Sequence, residues 1–184
     1  MALYEITPCG EVTTSPHIST CCPDTELARV RSMGFYRQTL TWADIEDPVE
    51  WKTNIDAGDA IVIPMTNGSY DGGGTQKTVP GYGNMKTRLL GRTFKIEYKD
   101  PDLEPNYSFY NTIQNSSDWI PVFVTETIMH VADKACSVIP TNPVEDDIEG
   151  EVVWKVSVEW TSKIIPTMHD IPAGIFDRCF GDTD

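Results

Sequence analysis

The chain has 184 residues, 28 of them acidic and 14 basic, for a formal net charge of −14. A 40% apolar fraction with five Trp points to a folded protein, and the length suits one domain, or one domain with a long arm, with chain enough to bury a real core without disulfides or metals. So negative a surface repels phosphate, which excludes tight nucleic-acid binding by bulk electrostatics, and no apolar run approaches the roughly eighteen residues that a membrane span needs.

The opening Met1-Ala2-Leu3-Tyr4-Glu5-Ile6-Thr7-Pro8 carries no basic n-region and no apolar h-region, so a secretory signal is not expected and folding is expected in the cytoplasm of the producing cell. Residues 1–25 are rich in Thr, Ser, Pro and Cys without apolar periodicity and read as an extended arm. From Met33 to Trp42 the pattern is that of a strand with a mixed face, broken at Pro48. Ala60-Ile61-Val62-Ile63 is a short buried strand. Asn67 to Asn84, with six glycines, reads as a long flexible loop. Thr87 to Lys99 alternates as a strand, with Phe94, Ile96 and Tyr98 on one face and Lys95, Glu97 and Lys99 on the other.

Asp100-Pro101-Asp102 ends that strand and opens the one expected helix, from about residue 105 to 115, with Phe109, Tyr110 and Ile113 as its apolar stripe. Strands are then expected over 119–127, 128–132, 135–140 and 151–161. The last is the clearest, with Val152, Trp154, Val156, Val158 and Trp160 alternating against Val153, Lys155, Ser157 and Glu159. Pro166, Pro172 and Gly174 make residues 164–184 an irregular tail. The expectation is mainly β: a β-sandwich or barrel over residues 26–163, with one short helix, the N-terminal arm and the Gly-rich loop.

Chemistry-bearing patterns are sparse. The five cysteines, Cys9, Cys21, Cys22, Cys136 and Cys179, are odd in number and unevenly spaced, which favours free thiols over a disulfide framework. Cys21-Cys22 with His17 lacks the second ligand pair that zinc takes. Gly81-Tyr82-Gly83 lacks the third glycine of a dinucleotide fingerprint and leads into a strand, so no helix N-terminus backs a phosphate cradle. Asp71 beside Asn67 lacks the spaced carboxylates of a calcium loop. His169-Asp170 is half of an acid–base dyad, but adjacent residues in a Pro-rich tail rarely converge on one pocket. No catalytic residue, cofactor or metal is expected.

The acidic run Glu145-Asp146-Asp147-Ile148-Glu149-Gly150-Glu151 reads either as a solvated turn or as a cluster facing a channel or a neighbour's basic patch, with Arg29 and Arg31 as natural partners. The tryptophans read as core or interface anchors; on a sugar-binding sandwich they would form an exposed stacking platform.

From Arg88 through Thr161 the chain resembles virion structural proteins of tailed bacteriophages that infect Bacteroidetes, the crAss-like group included. The resembling segments are Val79-Pro80-Gly81-Tyr82-Gly83, Asp100-Pro101-Asp102-Leu103 with Asn106 and Phe109-Tyr110-Asn111, Pro143-Val144-Glu145-Asp146-Asp147 leading into Val153-Trp154-Lys155-Val156, and Ile171-Pro172-Ala173-Gly174-Ile175-Phe176. The order strand, Asp-Pro-Asp turn, short helix and paired strands is also similar to phage tail-tube subunits. The resemblance implies a virion subunit made in the host cytoplasm, forming a tail tube or a tail or neck ring with copies of itself and with neighbouring virion proteins. Contact with DNA would be at most transient and non-specific, and no membrane is implied. Because crAss-like phages have short tails, a neck ring or a capsid-surface protein stands beside the tube. Arg29, Arg31, Tyr70, Asp71, Tyr82, Glu145, Asp146, Asp147 and Glu149 are the expected assembly or lumen residues. A soluble carbohydrate- or ligand-binding sandwich is the alternative from another functional class.

Overall fold

A computed structural model describes residues 29–64, 66–79, 88–143 and 152–176. Its longest pairing joins β5 (Arg88–Asp100) to β9 (Trp154–Ser162), the two strands whose alternation is clearest in the sequence. Cross-strand partners share a face, so the register Phe94↔Trp160, Ile96↔Val158 and Tyr98↔Val156 assembles one apolar face, with all six side chains buried. Burying each such side chain stabilises the fold by roughly 1.5–3 kcal/mol. The opposite face carries Lys95, Glu97 and Lys99 against Glu159, Ser157 and Lys155.

Around this pair, β3 (Asn67–Tyr70) and β4 (Thr75–Val79) lie one after the other along one edge of β5, while β8 (Ser137–Thr141) lies beside β9. A further sheet has the order β10 (Thr167–His169), β7 (Met129–Val131), β6 (Trp119–Val124), β1 (Ser32–Arg37) and β2 (Ala60–Ile63). We call this the first sheet and the one containing β5 the second. Every pairing is antiparallel, and the sheets form an open sandwich with no closed barrel. Tyr70 of the second sheet meets Phe123 of the first with ring centroids 4.7 Å apart, which marks the core between them. The sheets also meet at a corner, where Val30 exchanges 3.0 Å backbone hydrogen bonds with Gly68 and the Arg31 N–H donates to Val124 O.

The first sheet is covered on both sides. All six residues of β6 are buried. One face meets the second sheet; over the other runs a chain of rings from Tyr36 to Trp42 (5.6 Å), Trp51 (4.6 Å) and Phe176 (5.1 Å). Gly34 makes room for that layer, because a β-carbon there would stand 3.1 Å from the Phe176 ring.

Trp51 belongs to α1 (Pro48–Ala57), which corrects the expectation of a single helix and of a chain broken at Pro48. Proline at the first helical turn loses no intrahelical hydrogen bond, so it starts a helix as readily as it ends one. Asp47 caps this start, its carboxylate accepting from Val49 N–H at 2.9 Å, and Gly58 closes the other end in the left-handed region at φ 77°. The other helix, α2 (Tyr107–Ile113), falls inside the expected span.

Two further expectations are corrected. The Gly-rich loop over 67–84 is, in its described part, the two edge strands β3 and β4. The tail from residue 164 contributes β10 to the first sheet and Ile175 and Phe176 to the core. The N-terminal arm, residues 1–25, lies outside the described residues.

A buried polar cluster ties α2 to the second sheet. The Asp100 carboxylate accepts from Tyr110 Oη at 2.7 Å, Asn106 Nδ2 at 2.8 Å and Asp102 N–H at 3.0 Å, while Trp154 Nε1 donates to Leu103 O at 2.9 Å. A carboxylate this enclosed persists only with its acceptor sites filled, so the Asp-Pro-Asp turn is explained by how it seats the helix.

Candidate interaction surface

The outer face of the second sheet is a polar sheet face built by strict alternation, and its charges fall in rows set by register. In one row Lys95 stands opposite Glu159, with Nζ 2.7 Å from Glu97 Oε1 and 3.9 Å from Glu159 Oε1. That carboxylate company raises the Lys95 pKa, first through the hydrogen bond to Glu97. In another row Asn67, Lys99, Lys155 and Thr141 follow one another across β3, β5, β9 and β8. Lys99 thus stands directly opposite Lys155, a like-charge pair that a sheet disfavours. These two lysines, with Ser69, Glu97, Thr141 and Ser157, line a shallow groove of about 480 Å³.

The expected assembly residues do not gather there. Tyr70 stacks in the core, parallel to Phe94 and Trp160 at 6.3 Å from each, and burial, with Asp71 adding to it, pushes its pKa up to about 12. Asp71 sits where the chain steps from β3 to β4. Its Oδ1 accepts from Lys95 N–H and Gly73 N–H, both at 2.9 Å, so the side chain carries the ladder across the step. Gly73 there has φ 76° and presses on the Phe94 ring where a β-carbon would collide. Both residues are explained by the sheet, which corrects the expectation of a free bridging loop. Arg29 is exposed at the corner, and the Arg31 backbone is held by Val124 O and Thr66 N–H. Tyr82, Glu145, Asp146, Asp147 and Glu149 lie outside the described residues.

At the far edge of the first sheet, β10 presents a side with no strand on it among the described residues. Ile164, Ile165 and Met168 are 57%, 56% and 65% exposed there. Compared with protein-family models, curated proteins and solved structures, the chain matches none. The site's own chemistry therefore carries the reading.

Among the described residues no three metal-ligating side chains converge. Cys136 is buried, and desolvation pushes its thiol up to about 12; the other four cysteines lie outside the described residues. His130 stacks on Phe123 at 4.6 Å. His169 does not pair with Asp170. Its Nδ1 lies 3.2 Å from Glu46 Oε1, its Nε2 3.0 Å from Thr167 Oγ1, and Asp170 N–H donates to the same Glu46 oxygen. This exposed cluster pins β10 to the segment before α1. All five tryptophans are described: Trp51, Trp119, Trp154 and Trp160 are buried and Trp42 half-buried, so none supplies the exposed platform that the sugar-binding alternative needs.

Sequence reasoning missed Lys99, Lys155 and Glu46. Alternation placed both lysines on outward faces; only the β5–β9 register sets them opposite one another, and only the fold of the tail brings Glu46 to His169.

Proposed function

We propose that the chain is a structural subunit of a bacteriophage virion that assembles with copies of itself, as a tube or ring of the tail or neck. The observation that carries self-assembly is the edge of β10, which bears no further strand among the described residues and has Ile164, Ile165 and Met168 exposed beside it. An uncovered edge strand flanked by apolar side chains is a template for another chain. The phage assignment rests on the sequence resemblance, and in this reading residues 1–25 reach a neighbouring subunit. A net charge of −14 suits a lumen past which DNA slides without adhering.

Electron microscopy of the concentrated protein, with its solution mass, tests this directly. Rings or tubes and a mass several times that of one chain are expected, and the symmetry separates a tail or neck part from a capsid-surface one. The paired change Ile165→Glu and Met168→Glu should abolish assembly without altering the unfolding midpoint. A chain that stays monomeric at high concentration, or a variant that assembles as the wild type does, overturns the proposal.

A further inference from the structure

Resting on that reading, we infer that the edge of β10 takes the N-terminal segment of a second copy, residues 3–7, as an added strand. The ladder of the first sheet fixes which groups that edge offers. Thr125 N–H donates to Ile128 O and Ala132 N–H to Pro121 O, so on β7 it is His130 that bonds towards β6. Residues of a ladder alternate between their two neighbours, so Met129 and Val131 bond towards β10, where they face His169 and Thr167. Met168, between those two, turns its N–H and C=O away from β7. Asp170 N–H points the same way and is taken by Glu46 at 3.3 Å, and Pro166 has no N–H to give. Among the described residues, the N–H that β10 leaves open is therefore that of Met168, with Ile164 and Ile165 exposed nearby. Such an edge accepts an extended segment.

The occupant follows from where the described chain begins. Ser32, Val124, Met129 and His169 lie in one row across β1, β6, β7 and β10. The chain thus enters the first sheet three strand spacings, about 14 Å, from the end of β10. Residues 1–28, which precede this entry, span about 90 Å when extended, enough to pass their own sheet and reach a neighbouring copy. Leu3, Tyr4 and Ile6 are the densest group of large apolar side chains in that segment, and Pro8 ends their run. They suit the exposed Ile164, Ile165 and Met168. Pairing of β10 with β10 would be two-fold and stop at two chains. A donor segment and an acceptor edge are unlike surfaces, and a contact between unlike surfaces passes from copy to copy until a ring closes or a tube grows.

The test is complementation between two full-length variants. Tyr4→Glu with Ile6→Glu spoils the donor segment and leaves β10 intact. Met168→Pro removes the outward N–H and keeps the donor, and a proline there leaves the bonds to β7 in place. In sedimentation velocity each variant alone should lose assembly and run as a monomer, with the unfolding midpoint of the wild type. Mixed in equal amounts they should give a species of twice the mass of one chain and nothing larger, because one intact segment meets one intact edge. Ile165→Glu with Met168→Glu replaces the proline variant if the proline lowers the midpoint. A mixture that stays monomeric, beside a wild type that assembles, overturns the inference. So does a donor variant that assembles as the wild type does, which would assign the edge to a direct β10 contact. A donor variant that assembles more readily than the wild type also overturns it, since the segment would then cover the β10 of its own chain. A wild type that remains monomeric overturns the proposed function itself, so the two failures are told apart.

Discussion

The two sheets stand in opposite environments. Along β9 and the Phe94–Asp100 part of β5 every second side chain enters the core and its neighbours turn outward, with Phe94, Ile96 and Tyr98 buried between Lys95, Glu97 and Lys99. Along β6 all six residues are buried, because α1, Trp42 and Phe176 cover the side that the second sheet does not. A strand between water and core writes its geometry into its sequence as alternation. A strand between two cores has no polar face to mark its register.

Three substitutions or conditions sharpen this contrast. The largest effect belongs to the covered sheet: Trp51→Ala removes a fully buried ring from the outer layer and should cost about 3–5 kcal/mol in urea unfolding. A cost under about 1 kcal/mol would mean that the α1 layer is dispensable and the first sheet is really one-sided. An intermediate effect comes from the seam, where Cys136 N–H donates to Trp119 O across the sheets. Its thiol ionises near 12 in the fold against an ordinary 9.0, so the contribution is fully present below pH 9 and is lost as pH rises towards 12. That loss runs at up to about 1.4 kcal/mol per pH unit, and Cys136→Ser should flatten this part of the stability profile relative to the wild type. The smallest effect is on the charged face. Lys95→Gln breaks exposed ion pairs with Glu97 and Glu159 and should leave the urea midpoint where it is. A clear shift would show that this face contributes to stability as well as to contacts.

The candidate surface was legible only in part. The outward lysines and the acidic run can be read from the sequence, and alternation alone tells that Lys99 and Lys155 leave the core. Tyr70 and Asp71 misled because glycines at 68, 72, 73 and 74 resemble a flexible loop. Gly73 is there for a left-handed turn against Phe94, and Gly68 for a close backbone approach to Tyr98. Glycine marks conformational need, which a strand step and a loose loop share. The apolar edge at Ile164, Ile165 and Met168 was hidden in the same way, since prolines on either side of β10 made the tail look irregular.

By itself the sequence determined the β-rich class, the strands β5 to β9, the helix after the Asp-Pro-Asp turn and the acidic excess. All of these follow from local period, turn chemistry and counting. Only the tertiary structure decided that Pro48 begins a helix, that Trp42, Trp51 and Phe176 form a layer over the first sheet, that Asp71 completes a ladder, and that Lys99 faces Lys155. Each depends on which distant segment arrives alongside, and strand register and layer packing are properties of pairs of segments that no single stretch of sequence encodes.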